Sequence, residues 1–165
     1  MHLGGLSPRE RRGPAEVFFC EYLERSAEFK VIENLISIVD DDESVRRTTT
    51  LLIESFGFRA VSFESAEAFL RSGRLHDTSC LVVDVQLPGM NGPELQGHLA
   101  AAGYGIPIIF MTAYYSKDSR ERAMQAGAVG FLGKPFSDQQ LLQTIRSALR
   151  LTCQDDCQGK LRSDL

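Results

Sequence analysis

Short apolar runs alternate with amphipathic segments from residue 35 to residue 150. Runs of this kind, rich in Ile, Val, Leu and Phe, favour buried strands, whereas apolar residues spaced three or four apart favour helices. The pattern predicts strands over residues 35–39, 58–62, 80–84, 106–111 and 128–132.

Helix signals lie between successive strands. Gly103 is typical of the glycine that follows a helix, and Pro93 is typical of a first helical turn. Ser65 is a candidate N-cap, and Ser137 forms a capping box with Gln140. Helices are therefore predicted over residues 43–56, 93–102 and 117–126, and after each of the two serines.

Strict alternation of strands and helices predicts an α/β fold in which a parallel sheet is covered by helices on both faces. Because crossovers between parallel strands are right-handed, few topologies are available, and the flavodoxin-like strand order 2-1-3-4-5 is typical of five strands. Ligands of such sheets bind outside the carboxyl ends of the strands, near the switch between strands one and three. The residues that follow each strand are therefore the candidates for function.

Charged and polar side chains follow four of the predicted strands. Asp40 and Asp41 follow strand one, Asp84 ends strand three, Thr112 follows strand four and Lys134 follows strand five. Each residue alone fits a turn or a helix cap, but their joint position at one edge of the sheet favours a shared site. Clustered carboxylates suit Mg²⁺, and a lysine ammonium suits phosphate. The combination predicts phosphoryl transfer, in which positioning and charge neutralisation supply most of the catalysis.

Four motifs carry a resemblance to a known family. The strings ISIVDDDESVRR, LVVDVQLPGMNGPEL, IIFMTAY and AGAVGFLGKPF occur in this order between residues 35 and 150. In sequence and spacing they resemble the response-regulator receiver domain of two-component signalling, and in particular the receivers of LuxR/FixJ-type transcription regulators. The resemblance implies a CheY-like version of the predicted fold and a switch controlled by phosphorylation.

The resemblance also implies roles for the acidic residues. Asp84 would accept a phosphoryl group from a sensor histidine kinase or a phosphotransfer protein. Asp40, Asp41, Asp84 and the backbone carbonyl of Gln86 would hold Mg²⁺. Placing the acidic pair directly after strand one leaves Asp42 exposed at the start of the next helix, where its charge suits the helix N-terminus.

The same resemblance extends to the last two strands. Thr112 and Lys134 would contact the acyl phosphate, and a cis peptide bond between Lys134 and Pro135 would aim the lysine inward. Phe131 corresponds to the family's aromatic switch position, although it fits a core position of strand five equally well. Helix four, strand five and helix five form the surface through which family members often dimerise or bind targets, so a homodimer and the binding of a partner through this surface both stay open.

Three alternatives compete with this interpretation. A haloacid-dehalogenase-type phosphatase also forms an aspartyl phosphate, but it needs an aspartate two residues after the nucleophile, where this chain has Gln86. A nucleotide-binding module would show a G-x-G-x-x-G string after strand one, and the sequence has none. A receiver that is never phosphorylated and serves only protein contacts stays open. Apart from accepting and losing its own phosphoryl group, the domain is not expected to be an enzyme.

Composition narrows the function classes further. In a chain of 165 residues, 43% hydrophobic and 24% charged residues are typical of a folded globular protein. The net charge of −4 argues against a basic surface, so direct nucleic acid binding is not expected. No apolar stretch is long enough to cross a bilayer or typical of a secretory signal, so a cytoplasmic protein without membrane contact is expected.

The chain is expected to divide into an N-terminal extension over residues 1–34, flexible or partly helical, a receiver domain over 35–151 and a C-terminal tail over 152–165. The string LSPRERR in the extension is similar to the start of a LuxR-type helix-turn-helix domain, but the Gly-Pro pair that follows would break its helix. The tail is too short and polar for a DNA-binding domain. A single-domain regulator, a phosphate sink and a fragment of a longer product therefore stay open. Cys80 is expected in the core, whereas the tail residues Cys153 and Cys157 give a weak metal or redox signal.

Overall fold

The structure, a computed structural model, describes residues 34–159, with the backbone alone for residues 151–159. Strands and helices alternate in this part of the chain as β1 (Leu35–Val39), α1 (Glu43–Ser55), β2 (Arg59–Phe63), α2 (Ala66–Arg71), β3 (Thr78–Asp84), α3 (Gly92–Ala101), β4 (Ile108–Thr112), α4 (Lys117–Gln125), β5 (Gly130–Gly133) and α5 (Asp138–Gly159). All five strands form one parallel sheet of order β2-β1-β3-β4-β5. The predicted α/β fold and its flavodoxin-like strand order are confirmed.

Both faces of the sheet carry a buried apolar layer. Alternate residues of a strand point to opposite faces, so Ile36 and Ile38 of β1 lie on one side and Val39 lies on the other. Residues of α1 and α5 cover the first side, and residues of α2 and α3 cover the second. Because β1 and β3 are enclosed by both layers, their carboxyl ends are held rigidly.

Side-chain caps fix the helix N-termini that border this edge of the sheet. Asp42 caps α1, Ser65 caps α2, and Asn91 forms a capping box with Glu94 at the start of α3. At α5, the Ser137 hydroxyl accepts a hydrogen bond from the amide of the third following residue, and the side chain of that residue accepts one from the Ser137 amide. The predicted caps of α2 and α5 are therefore confirmed, and each loop from a strand to a helix ends at a defined point.

The final helix is longer than the predicted domain boundary allows. Helix α5 continues to Gly159, so a boundary between residues 151 and 152 falls inside it. The three-part division of the chain stays a prediction. The helix expected in the N-terminal extension lies outside the described residues, as do the side chains of Cys153 and Cys157. Within residues 34–159, no helix combines the length and apolar character that a membrane span requires.

Candidate functional site

The register of the two central strands brings two aspartates together. Val39 of β1 is paired with Val83 of β3, so the next residues, Asp40 and Asp84, follow side by side at the carboxyl edge of the sheet. The exposed fractions of Asp40 and Asp84 are 0% and 7%. The sheet therefore holds two carboxylates in a nearly dry position, where negative charge needs a positive partner.

The register of β4 and β5 adds a hydroxyl and an ammonium at the same edge. Thr112 is paired with Gly133, and the amide of the following residue, Lys134, donates a hydrogen bond of 2.7 Å to the Thr112 carbonyl. Thr112 is buried, and its hydroxyl accepts a hydrogen bond of 3.1 Å from the amide of Tyr114. A backbone hydrogen bond thus connects Thr112 directly with Lys134.

Lys134 supplies the positive partner of both aspartates. Its Nζ donates hydrogen bonds to Asp40 Oδ2 at 2.6 Å and to Asp84 Oδ2 at 2.5 Å. The peptide bond between Lys134 and Pro135 is cis, as the family resemblance implies. Burial by itself would lower the pKa of Lys134, but the hydrogen bonds to the two carboxylates and their charges outweigh burial and raise it. The ammonium therefore stays charged between the aspartates.

Asp41 completes a cluster of three carboxylates. One carboxylate oxygen each from Asp40, Asp41 and Asp84 lies within 4.8 Å of the other two. Burial raises the pKa of Asp40, although hydrogen bonds from Lys134 and from the amide of Asp42 oppose the rise. The formal charges of three carboxylates and one ammonium sum to −2. The cluster is therefore an acidic, all-oxygen pocket that fits a hard divalent cation.

Of the other predicted residues, Gln86 and Asp42 contact this pocket through their backbone amides, and Phe131 lies in β5. Gln86 is exposed in the turn after β3, and its amide donates to Asp84 Oδ1 at 2.7 Å. Its carbonyl as a metal ligand stays a prediction. Asp42 is exposed and caps α1 by accepting hydrogen bonds of 2.8 and 3.1 Å from two amides of the first turn. The half-buried ring of Phe131 meets the ring of Tyr115 edge to face at 5.7 Å.

Gly92 allows α3 to begin directly behind Asp84. A Cβ atom at Gly92 would lie 2.6 Å from the carbonyl oxygen of Asp84 and 2.9 Å from the ring of Phe110. The amide of Gly92 also donates to the Val85 carbonyl at 3.1 Å. Only glycine fits this approach without a shift of the strand end, which makes Gly92 part of the support of Asp84.

Two side chains that sequence reasoning missed hold the loops of the site. Arg46 Nη1 donates to the carbonyls of Asp40 and Asp41 at 2.8 and 2.9 Å. Glu67 Oε1 accepts a hydrogen bond of 2.9 Å from the amide of Met90, which lowers the pKa of Glu67. An arginine in the first turns after an acidic loop is a signal that could have indicated the first contact. The second joins residues 23 positions apart, and no local pattern predicts it.

Comparison with known proteins identifies the family of this fold. The family model of the response regulator receiver domain matches residues 36–146. The chain belongs to this family. The predicted receiver is therefore confirmed as a signalling domain of two-component systems, and the matched segment contains the acidic pocket, Thr112 and Lys134.

Individual relatives agree with the family. Nodulation protein W of Bradyrhizobium diazoefficiens is 46% identical over 114 residues, which are 69% of this chain and 50% of that protein. The transcriptional regulatory protein FixJ of Azorhizobium caulinodans is 35% identical over 130 residues, which are 79% of this chain and 62% of that protein. The structure of the response regulator StyR matches with a TM-score of 0.71 and 41% identity, over 79% of this chain and 66% of that chain. The chain thus spans only part of the length of each relative.

The expectation about nucleic acid partners is wrong. The net charge of −4 led to the prediction of no direct nucleic acid binding. Relatives such as FixJ and TdiR are transcriptional regulatory proteins, and transcription is regulated on DNA. The acidic charge of a chain that spans 51% of TdiR and 62% of FixJ does not determine the charge of the rest of such a regulator. Net charge was therefore the wrong criterion for this partner class.

Proposed function

We propose that this receiver is a phosphorylation-dependent switch in which Asp84 accepts a phosphoryl group from a phosphohistidine of a sensor histidine kinase or a phosphotransfer protein. The observation that carries the proposal is the contact of Lys134 Nζ with both Asp40 and Asp84, beside the third carboxylate of Asp41. A carboxylate in this setting suits attack on phosphorus, because phosphoryl transfer depends on positioning and on neutralising charge.

Mg²⁺ is the cofactor that the donor set supports. The carboxylates of Asp40, Asp41 and Asp84 and the backbone carbonyl of Gln86 would hold it, and all of these donors are oxygens. When bound, Mg²⁺ supplies positive charge to the phosphoryl oxygens. The two negative charges left uncompensated by Lys134 are the physical reason why a divalent cation is favoured here.

Residues of the chain account for the transfer step. A carboxylate oxygen of Asp84 attacks phosphorus while the bond from phosphorus to the imidazole nitrogen breaks, and the imidazole leaves with the electron pair. Lys134 donates to the phosphoryl oxygens in place of its hydrogen bond to Asp84. The Thr112 hydroxyl already accepts a hydrogen bond from Tyr114, so its own hydrogen is free to donate to a phosphoryl oxygen.

The switch follows from these new contacts. Phosphorylation adds charge and acceptor oxygens at Asp84 and draws Thr112 and Lys134 inward, which biases the ends of β4 and β5 towards a second arrangement. Moving a population from 1:99 to 99:1 requires about 5.5 kcal/mol of differential stabilisation. Charge-assisted hydrogen bonds contribute about 1.5 to 3 kcal/mol each, so a few such bonds suffice.

The proposal extends to the wider protein. A receiver over residues 35–151, an extension before it and a tail after it remain the proposed division, and a cytoplasmic location goes with the proposed kinase partner. The domain transfers no phosphoryl group to other substrates and acts only on its own phosphoryl group. Because FixJ and TdiR are transcriptional regulatory proteins, we propose that this switch also serves the control of transcription.

Labelling with a small phosphoryl donor tests the proposal. The full chain is incubated with radiolabelled acetyl phosphate and Mg²⁺, and bound label is measured after denaturing electrophoresis. The parent is expected to be labelled and Asp84→Asn to carry no label, because the amide has no nucleophilic oxygen of comparable strength. Asp118→Asn, which changes an exposed aspartate of α4, is the matched control and is expected to label like the parent.

The possible outcomes of this experiment distinguish between the candidate functions. Labelling of Asp84→Asn equal to that of the parent contradicts the assignment of the acceptor. An unlabelled parent that still folds favours the receiver that serves protein contacts alone. Turnover of many equivalents of a phosphate ester would favour the phosphatase, which the glutamine at position 86 argues against.

A further inference from the structure

Arg46 is a charged side chain that the proposed transfer step does not use, although it lies against the acidic pocket. It belongs to the second turn of α1 and is half-buried. Its Nη1 donates two hydrogen bonds, of 2.8 Å to the carbonyl oxygen of Asp40 and of 2.9 Å to the carbonyl oxygen of Asp41. The guanidinium therefore contacts the backbone of two consecutive residues whose side chains form the pocket.

The two carboxylates differ in what else holds them. Asp40 is fixed by Lys134 Nζ and by the amide of Asp42, which donates to Asp40 Oδ1 at 2.9 Å. Asp41 is exposed, and among residues 34–150 its carboxylate makes no hydrogen bond or ion pair of its own. The direction of the Asp41 side chain is thus set by the backbone of the loop, and Arg46 is a side chain from outside the loop that holds this backbone.

We propose that Arg46 is a positioning residue for the metal pocket: by holding the Asp40 and Asp41 carbonyls on the α1 side of the loop, it keeps the carboxylates of both residues turned towards Asp84. The inference rests on the proposed function, because it concerns the Mg²⁺ that this function requires. Groups that orient metal ligands without touching the metal influence affinity by about 10 to 100-fold.

If Arg46 acted only through its charge, its removal would strengthen Mg²⁺ binding, which is the opposite of what a positioning role predicts. A guanidinium close to a divalent cation repels it, so removal of the Arg46 charge would strengthen metal binding if the charge were its main influence. A positioning role predicts weaker binding, because the loop loses two hydrogen bonds and the carboxylates lose their fixed direction. The sign of the change in Mg²⁺ affinity therefore separates the two roles.

Calorimetric titration of the full, unphosphorylated chain with MgCl₂ at constant ionic strength measures this sign. Arg46→Gln is expected to weaken Mg²⁺ binding about tenfold. The control is Arg47→Gln, which removes the same charge from an exposed position of the same helix and is expected to change the dissociation constant less than twofold. Arg46→Lys, which keeps the charge but not the planar fork, is expected to lie between the parent and Arg46→Gln.

Thermal unfolding in EDTA separates positioning from folding. Arg46→Gln is expected to unfold cooperatively in EDTA and to gain less than the parent in unfolding temperature on addition of Mg²⁺. If Arg46→Gln does not fold, Arg46→Lys is compared with Arg47→Lys in the same way, and weaker Mg²⁺ binding of the former supports the inference. Mg²⁺ binding by a folded Arg46 variant that equals or exceeds the parent's overturns it. A folded parent that binds no Mg²⁺ contradicts the proposed cofactor instead.

Discussion

Helices α3 and α4 lie next to each other in sequence order around β4, but the sheet holds them very differently. Helix α3 buries Gly92, Leu95, Gln96 and Leu99 and begins with a capping box. Helix α4 has a single N-cap, Ser116, and buries none of its residues. Its sequence KDSRERAMQ offers only Ala123 as a half-buried contact to the apolar layer.

The difference separates the two sides of the candidate site. The side formed by β1, β3 and α3 holds Asp84, the proposed phosphoryl acceptor, in a fixed position, as phosphoryl transfer requires. The side formed by β4, α4 and β5 carries Thr112 and Lys134 and borders a helix that gains little from burial. Segments with few buried apolar contacts open at low free energy, so a small change at the site has its largest structural effect there.

Truncation of one apolar side chain in each helix gives the largest contrast. Leu95→Ala in α3 is expected to lower the free energy of unfolding by about 2 to 5 kcal/mol, because Leu95 is fully buried. Met124→Ala in α4 is expected to lower it by only about 1 kcal/mol, because Met124 is 36% exposed and α4 buries none of its residues. Urea denaturation in EDTA measures both. Equal losses would show that α4 is packed as tightly as α3.

Two glycines of α3 sharpen the comparison within one helix. Gly92→Ala is expected to cost about 1 to 3 kcal/mol and to slow labelling by acetyl phosphate, because its Cβ would press on the Asp84 carbonyl. Gly97→Ala has no atom within 4 Å of the new Cβ and is expected to stabilise the domain by about 0.5 to 1 kcal/mol. Urea denaturation and labelling rates measure both variants. Normal labelling of a destabilised Gly92→Ala would contradict the role of Gly92 as a support.

Hydrogen exchange tests the same contrast without mutation. Protected amides of α4 are expected to exchange at least about tenfold faster than those of α3, a difference of about 1.4 kcal/mol in opening free energy. Mass spectrometry of peptides from the exchanged full chain, in EDTA at neutral pH, measures the rates. The comparison fails if both helices exchange at one rate, since they would then open together as a single unit.

Acidification tests the contact between Glu67 and Met90, which is expected to have the smallest effect on stability. The hydrogen bond from the Met90 amide lowers the pKa of Glu67 below its ordinary value of 4.5. A carboxylate with a lowered pKa stabilises the folded state above its ordinary pKa, and this contribution disappears as the pH falls through the lowered value. Urea denaturation should therefore show Glu67→Gln slightly less stable than the parent at pH 7, with a smaller difference at pH 3.5.

A neighbouring carboxylate serves as the control for this titration. Glu64 is exposed in the loop before α2, and Glu64→Gln is expected to match the parent at both pH values. A difference between the parent and Glu67→Gln that stays constant down to pH 3.5 would show that the charge of Glu67 does not contribute through this contact.

The sequence predicted the fold and the pocket for one physical reason. Parallel strands enclosed on both faces must be continuous apolar runs, and such runs are easy to find in β1 and β3. Their common direction then places every following residue at one edge. The positions of Asp40, Asp84 and Lys134 thus follow from the strand order and direction, even though the predicted strand bounds differ from the observed ones by one or two residues.

Two features were harder to predict: a contact that depends on the tertiary structure, and the end of a helix that no helix-breaking residue marks. The contact of Glu67 with Met90 needs the relative placement of α2 and the loop after β3, which no periodicity encodes. Helix α5 continues past the predicted boundary because no proline or glycine interrupts the chain before Gly159.

Asp40 and Lys134 stand 94 positions apart, yet their side chains touch. A nascent chain on the ribosome completes β1 and β3 well before β5 emerges. Until then Asp40 and Asp84 lack the ammonium that contacts both of them in the folded domain. A product that ends before β5 lacks Lys134 altogether, so its acidic cluster would have no ammonium to offset the negative charge.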